Sequence, residues 1–318
     1  MDTSSIHTDL AIEARELYKE GSGQEAPGVE VEEVDAGDAK VSRVNVFNEI
    51  GSKNMGKPIG HYITIEAPGL MDNSPNYNDG VSKLLTVELK NLLKLSDKST
   101  VLIVGLGNWN ITADSLGPKV VSRVQVTRQI FQYAPMEIGE GYRPVCAIAP
   151  GVLGITGIET SDIIRGIVDR IKPDVVIAID ALASRRLTRV NTTIQITDTG
   201  INPGSGLGNY RTPLNYGSLG IPVIAIGMPT VVDAATVARD AIQMLIDSRN
   251  KRGEGSEGYQ FMDNLNEEQK YSMIKEVLTP FEANLVVTPK EADELIDNIS
   301  GIISKGLDSA IHPAMANI

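Results

Sequence analysis

Histidine is scarce in this chain, with 3 in 318 residues. Ser–His–Asp and Cys–His mechanisms both depend on a well-placed imidazole. A hydrolytic zinc site usually takes histidines at helical spacing, as in H-E-x-x-H, and the sequence contains no such motif. It also lacks the G-x-S-x-G elbow of serine hydrolases. If the chain is a hydrolase, its carboxylates are the groups left to do the chemistry.

Cysteine is scarcer still, because Cys146 is the one cysteine in the chain. A disulfide framework within one chain is therefore excluded, which fits a reducing compartment. No stretch is long and apolar enough to span a bilayer. The first twenty residues have no apolar core of a signal peptide. They instead contain five acids, at Asp2, Asp9, Glu13, Glu16 and Glu20. We predict a cytoplasmic protein that does not contact membranes.

The formal net charge is −12, so the chain has no bulk attraction for phosphate backbones, and direct binding to nucleic acid is disfavoured. Hydrophobic residues make up 42%, enough for a sizeable core. Residues 1–18 have an amphipathic pattern, and residues 19–40 are acidic and rich in glycine, as solvated linkers are. We expect a separate N-terminal leader followed by one domain.

From residue 84 onward, apolar runs of strand length alternate with segments of helical spacing. This alternation implies right-handed βαβ crossovers and a mainly parallel sheet with helices on both faces. The predicted class is therefore α/β. Two half-buried strands at 41–50 and 61–66 precede this region. The later strands are predicted at 100–104, 145–149, 174–179, 193–197, 222–226 and 285–287, with helices around 84–93, 119–130, 163–171, 234–247 and 295–303. A capping box of Thr156 and Glu159 is expected to start the third of these helices.

The loop at 105–118 follows a predicted strand and precedes a helix, where open α/β sheets bind ligands. Gly105 and Gly107 suggest a nucleotide fingerprint, but Asn110 stands where the third glycine belongs, so a dinucleotide site is disfavoured. Asp114 lies just before the helix. An ordinary N-cap and a catalytic carboxylate are equally good interpretations of it.

Asp180 is placed at the carboxyl end of the buried strand at 174–179. A carboxylate there is costly unless it is paired or functional. A salt bridge to Arg185 or Arg186 is the structural alternative. Asp114 and Asp180 should nevertheless face the same sheet edge, and two neighbouring carboxylates tend to share one proton. Such a pair supplies an acid and a base at one site.

A glycine-rich loop at 198–209 follows another predicted strand. Its backbone amides could contact a substrate chain or an oxyanion, with Gly204, Ser205 and Gly206 at its centre. A flexible turn explains the same residues. A phosphate-binding loop is disfavoured because no G-K-[ST] follows.

Several of these segments together resemble the germination protease family of spore-forming bacteria. The resemblance rests on GLGNWN at 105–110 and TADSLGP at 112–118. It is supported by KPIGHYITIE at 57–66, APGVLG at 149–154, TGIET at 156–160, DALASR at 180–185, DTGI at 198–201 and PGSG at 203–206.

The resemblance implies a homotetrameric endopeptidase of the forespore and spore core, without a cofactor, that degrades small acid-soluble spore proteins. It implies a fold similar to that of the hydrogenase-maturation proteases. Asp114 and Asp180 match the two acids assigned to catalysis in the family. Metallo and aspartic mechanisms have both been argued for it. Neither motif here contains a histidine, which favours the aspartic type with no metal. Gly105, Asn108, Arg185, Gly204, Ser205 and Gly206 are the residues we expect to contact substrate, with Arg185 a candidate for binding an acidic side chain.

The resemblance also implies a precursor that trims its own N-terminus. The family cuts after Glu or Asp and before a hydrophobic residue followed by Ala. Residues 8–11 (Thr-Asp-Leu-Ala) match that pattern. We predict self-cleavage between Asp9 and Leu10, which divides the chain into a propeptide at 1–9 and an α/β protease domain at 10–318. The same residues also suit an ordinary helix start.

Two other functions stay open. One is a metal-assisted maturation-type protease in which Asp114 and Asp180 hold a divalent ion and His61 assists. The other is a non-enzymatic module that binds a nucleotide through the Gly105 loop.

Overall fold

The computed structural model describes residues 8–204, 211–252, 265, 269–270, 273–274 and 285–315. The described residues form an α/β fold built on one nine-stranded sheet, which confirms the predicted class. In chain order the strands are β1 (Val29–Ala36), β2 (Ala39–Val46), β3 (Gly60–Glu66), β4 (Val101–Gly105), β5 (Val145–Ile148), β6 (Val175–Ser184), β7 (Thr193–Thr197), β8 (Val223–Asp233) and β9 (Val286–Val287).

The sheet has a parallel half and an antiparallel half. Its strand order is β1-β2-β3-β7-β8-β6-β4-β5, and β9 pairs with the end of β8. The four strands β8, β6, β4 and β5 run parallel to one another, as βαβ crossovers require. The strands β1, β2, β3 and β7 continue the sheet in antiparallel pairs beyond β8. The parallel half includes β4, which precedes Asp114, and β6, which contains Asp180.

Helices cover both faces of the sheet, because alternate residues of the central strands are apolar on each side. In chain order they are α1 (Ala11–Ser22), α2 (Glu49–Met55), α3 (Pro75–Leu92), α4 (Leu116–Val121), α5 (Arg128–Tyr133), α6 (Leu153–Thr156), α7 (Thr160–Ile171), α8 (Tyr216–Leu219), α9 (Ala234–Arg252) and α10 (Ala292–Ile311). One face is covered by α3, α4 and α10. The other is covered by α7 and α8 over the parallel strands and by α1 and α2 over the antiparallel ones. Within the described part of the chain, no helix combines the length and apolarity needed to cross a membrane.

Three local predictions are wrong. The acidic segment at 19–40 is not a linker, since α1 runs to Ser22 and β1 pairs along its whole length with β2. The helix predicted over 119–130 is two helices, because the chain turns so that the buried Thr127 hydroxyl can accept the Val145 amide at 3.0 Å. The expected capping box is also absent. The Thr156 hydroxyl accepts the Ile158 amide instead, and α7 begins at Thr160.

The first turn of α1 is docked through one buried carboxylate, Glu13. Its side chain is 0% exposed. Its oxygens accept the backbone amides of Arg185 at 2.6 Å and Arg186 at 3.0 Å, and the Arg189 guanidinium at 3.3 Å. Glu16 and Glu66 bind the same guanidinium. The acidic helix α1 is therefore held on the basic turn that follows β6.

We expect Glu13→Ala to lower the free energy of unfolding by about 3 kcal/mol, because it leaves buried amides and part of a buried guanidinium without their acceptor. Urea unfolding measures the change. Glu25→Gln is the matched control, because Glu25 pairs with Arg15 at an exposed site where ion pairs contribute less than about 1 kcal/mol. Equal losses in the two variants would contradict the role given to Glu13.

Candidate active site

A cleft of about 360 Å³ opens where β4 stops and β6 continues. The last pair between these strands joins Gly105 to Ile179, whereas β6 runs on to Ser184. The strand β6 therefore does not end at Asp180, and that part of the prediction is wrong. Asp180 does lie directly after the last residue of β6 that pairs with β4. Asp114 and Asp180 both line the cleft, together with Asp9 from the N-terminal segment. The structure thus brings the two predicted acids together.

Asp114 lies in a 3-10 turn over residues Thr112–Asp114 that crosses the end of β4. The Asn108 amide donates to the Asp114 carbonyl at 2.9 Å, and the Thr230 hydroxyl donates to the Ala113 carbonyl at 2.5 Å. Gly107 has φ +109°, and a Cβ there would lie 2.1 Å from the Asp114 carbonyl oxygen. Ser115, not Asp114, occupies the N-cap position of α4. The N-cap interpretation of Asp114 is therefore wrong, and the turn is built to fix its carboxyl in the cleft.

Asp180 is 5% exposed, and one of its oxygens accepts the Ala181 amide at 2.9 Å. The alternative of a salt bridge does not hold, because both candidate arginines pair with α1. Arg185 binds Glu20 at 3.0 Å, and Arg186 binds Glu16 and Glu20. Asp180 is therefore a buried carboxyl without a compensating cation among the described residues.

Burial raises the pKa of both carboxyls of the pair. It raises the pKa of Asp114 to about 6, against a smaller opposing effect of the Asn108 amide. Burial raises the pKa of Asp180 well above its ordinary value, and the neighbouring carboxylates of Asp114 and Asp9 add to the effect. Both carboxyls are therefore biased toward the protonated form, which favours a proton held by the pair. This arrangement supplies one general acid and one general base.

The N-terminal segment enters the same cleft along the free edge of β6. The Asp9 amide donates to the Ala183 carbonyl at 3.2 Å, and the Ala183 amide donates to the Asp9 carboxylate at 2.9 Å. Leu10 and Ala11, which follow, are fully buried. Asp9 thus binds the free edge of β6 through one backbone and one side-chain hydrogen bond.

The other predicted contact residues lie in different places. Gly204 lines the cleft. Gly105 instead lets α4 pack on β4, because a Cβ there would lie 2.2 Å from the Gly117 carbonyl oxygen. Asn108 supports the Asp114 turn, and the Arg185 guanidinium binds Glu20. Ser205 and Gly206 lie outside the described residues.

His61 stands apart from the aspartate pair. Its ring binds Asp198 at 2.7 Å. It lies at the start of β3, which is three strands away from β6 in the sheet. Along β3, His61 is also three residues away from the position that is in register with Asp180. At about 4.8 Å between strands and 3.3 Å per residue, that separation exceeds about 15 Å. The geometry does not favour a metal site that joins His61 to the two aspartates. Among the described residues, no group of three His, Cys, Asp or Glu side chains is placed to hold a metal ion.

Comparison with known proteins decides the family. The family model described as germination protease matches residues 8–260 and 250–317. The chain belongs to the germination protease family. It is 54% identical to the germination protease of Clostridium tetani, over 98% of this chain and 97% of that protein. It is 44% identical to that of Bacillus subtilis, over 96% of this chain and 93% of that protein. The chain is accordingly a peptidase.

A solved structure that also matches is the [NiFe] hydrogenase maturation protease HycI from Thermococcus kodakarensis KOD1. The match has a TM-score of 0.31 and 15% identity, and it covers 68% of this chain and 98% of that chain. At this distance the likeness does not define the fold, which rests on the strand order above.

We expect Asp180→Asn to stabilise the protein, increasingly so as the pH rises. A raised pKa in the folded state means that the stability contributed by Asp180 is complete below its unfolded pKa, about 3.9, and is lost as the pH rises toward the folded value. The amide variant avoids this loss. A gain of about 1 kcal/mol would raise the Tm by roughly 2 °C.

Thermal unfolding at several pH values from acid to mildly alkaline measures the effect. Asp169→Asn, at an exposed position of α7, is the control and should follow the native chain at every pH. If Asp180→Asn instead loses stability relative to the native chain as the pH rises, the raised pKa of Asp180 is contradicted.

Proposed function

We propose that this germination protease is an endopeptidase with an aspartic-type acid–base pair. It initiates degradation of small acid-soluble spore proteins during germination, cutting after Glu or Asp and before a hydrophobic residue followed by Ala. It is made as a precursor that cuts its own Asp9–Leu10 bond. The observation that supports this proposal is the location of Asp9 in the cleft of Asp114 and Asp180. A homotetramer in the forespore and spore core, as the sequence resemblance implies, completes the proposal.

The two aspartates have distinct roles in this mechanism. Ionised Asp114 takes a proton from a water molecule, which attacks the carbonyl carbon of the residue before the cut. Protonated Asp180 gives its proton to the leaving nitrogen as the C–N bond breaks. The products are an amine and a carboxylate, whose proton passes to solvent. Asp114 loses the proton that it took from water and Asp180 regains one, which restores the starting state of the pair. The raised pKa of both carboxyls, with Asp180 the more buried side chain, supports this assignment.

The contacts of the N-terminal segment support Asp9–Leu10 as the bond that is cut. Asp9 supplies the acidic side chain before the bond, and Leu10 and Ala11 supply the hydrophobic residue and alanine after it. The acidic side chain is received by the Ala183 amide rather than by Arg185.

We expect Asp114→Asn and Asp180→Asn each to abolish cleavage of the chain itself and of an added small acid-soluble spore protein. Each variant removes one proton-transfer group while keeping its shape. Intact-mass spectrometry of protein aged at mildly acidic pH should show a new N-terminus at Leu10 in the native chain only. The control Asp169→Asn should be processed like the native chain.

Processing at Leu10 in either active-site variant would contradict the proposal. The metal-assisted alternative has its own test, which is the same assay after treatment with a strong chelator. Unchanged activity supports the aspartic type, and activity lost to the chelator and restored by a divalent ion would replace it with the metal-assisted mechanism.

A further inference from the structure

Lys57 has no part in the acid–base pair, yet its ammonium group contacts the bond proposed to be cut. Its Nζ donates to the carbonyl oxygens of Thr8 and Asp9, each at 3.0 Å. Burial lowers the pKa of Lys57, with the Asp9 and Glu13 carboxylates acting against that effect. An ammonium removed from water needs polar partners. Among the described residues, the groups that accept its hydrogen bonds are two peptide carbonyls of the N-terminal segment.

The position of Lys57 is fixed by the chain around it. The Lys57 amide donates to the Ser52 carbonyl at 3.2 Å, which closes the end of α2. The Pro58 carbonyl accepts the Tyr62 hydroxyl at 2.8 Å, which ties the next residue to β3. The ammonium group is therefore presented from a tight turn between a helix and a strand, as a preorganised donor must be.

Gln195 makes the second contact to the same carbonyl. Its Nε2 donates to the Asp9 carbonyl oxygen at 3.2 Å, and its Oε1 accepts the Ala11 amide at 2.6 Å. These contacts require one orientation of the amide, because a carbonyl accepts and an N–H donates. One side chain thus binds the peptide on both sides of the Asp9–Leu10 bond.

The sheet places Gln195 near the aspartates. Asp180 pairs in register with Gly227 of β8, and Gly227 pairs with Gln195 of β7. Residues opposite each other across a sheet project to the same face, so Asp180 and Gln195 share one face at a separation of about 10 Å between their Cα atoms. The peptide at residues 9–11 bonds to Ala183 of β6 and to Gln195 of β7.

We propose that Lys57 and Gln195 form the oxyanion site of this peptidase, receiving the carbonyl oxygen of the residue before the cut. This inference rests on the proposed function, because it takes Asp9–Leu10 as the bond that breaks. When water adds to the Asp9 carbonyl carbon, the carbonyl oxygen becomes an oxyanion held by the Lys57 ammonium and the Gln195 amide. The oxyanion collapses to the new carboxyl group as the bond to the Leu10 nitrogen breaks and that nitrogen takes the proton of Asp180.

The same site should receive the protein substrate cut in trans. The contacts at Thr8, Asp9 and Ala11 are made to backbone atoms, with the Asp9 amide bound to Ala183. Backbone contacts do not depend on side-chain identity, so a second chain in the same register makes them equally. The preference for an acidic residue before the cut then comes from the Ala183 amide. The rate of cleavage depends on the two oxyanion donors, Lys57 and Gln195.

Self-cleavage of the full-length chain tests the proposal, because the peptide is already bound and the first-order rate reports the chemical step. We expect Lys57→Met and Gln195→Glu each to slow the release of the Leu10 N-terminus by about 100-fold or more, as loss of an oxyanion donor does elsewhere. Gln195→Glu keeps an acceptor for the Ala11 amide. Lys57→Arg should recover part of the rate, because it keeps a cationic donor. Lys53→Met, on α2 and exposed, should match the native rate.

Hydrogen exchange of the Ala11 amide separates catalysis from anchoring. Protection unchanged in Lys57→Met, together with the slow rate, supports an oxyanion role. A slow rate accompanied by lost protection overturns it, because Lys57 would then only hold the segment in place. A native rate in Lys57→Met beside an inactive Asp180→Asn overturns this inference and leaves the proposed function intact. A native chain that never releases a Leu10 terminus overturns the proposed function itself.

Discussion

The continuation of β6 past the end of β4 is the constraint on which the rest of the site depends. Beyond Ile179 the strand has β8 on one side only, so its other edge keeps free amides and carbonyls. That edge receives Asp9 at Ala183 and Glu13 at Arg185. It also buries Asp180 beside the turn that holds Asp114. A strand that stopped at Asp180 would provide the acid but neither the peptide-binding edge nor the support for α1.

Two buried carboxyl groups, those of Glu13 and Asp180, lie at this edge and have different hydrogen-bond partners. Glu13 is fully buried but accepts two amides and a guanidinium, so its charge is compensated. Asp180 is almost as buried and accepts one amide, with two carboxylates nearby, so burial raises its pKa instead. The arginines 185, 186 and 189 are all engaged by α1. Docking α1 on these arginines therefore keeps the cations away from the acid pair, so no cation among the described residues opposes the effect of burial on the pKa of Asp180.

The sequence was sufficient to predict the parallel half of the fold and the meeting of the two aspartates at one site. Each aspartate follows an apolar, β-branched run, and the carboxyl ends of parallel strands meet at one edge. The strand β1 was missed because it is an edge strand with both faces largely exposed, so its acidic side chains have the composition of a linker. Arg185 was chosen for its nearness in sequence to Asp180, but its side chain binds α1.

Lys57 and Gln195 could not have been found by the same reasoning. Lys57 begins the segment KPIGHYITIE of the family resemblance, but the pattern gives it no chemical role. Gln195 belongs to none of the quoted segments and lies 138 positions further along the sequence. They meet at the Asp9 carbonyl because β3 and β7 are neighbours in the antiparallel half of the sheet. Topology, rather than local pattern, creates this contact.

The central claim is that each chain holds its own Asp9–Leu10 bond against its own aspartate pair. The most direct measurement is the rate constant for the appearance of the Leu10 N-terminus across a wide range of protein concentrations, from the earliest phase of the reaction. The structure predicts a first-order constant that dilution leaves unchanged. A rate constant that falls in proportion to concentration would show that one molecule cuts another and would contradict the account.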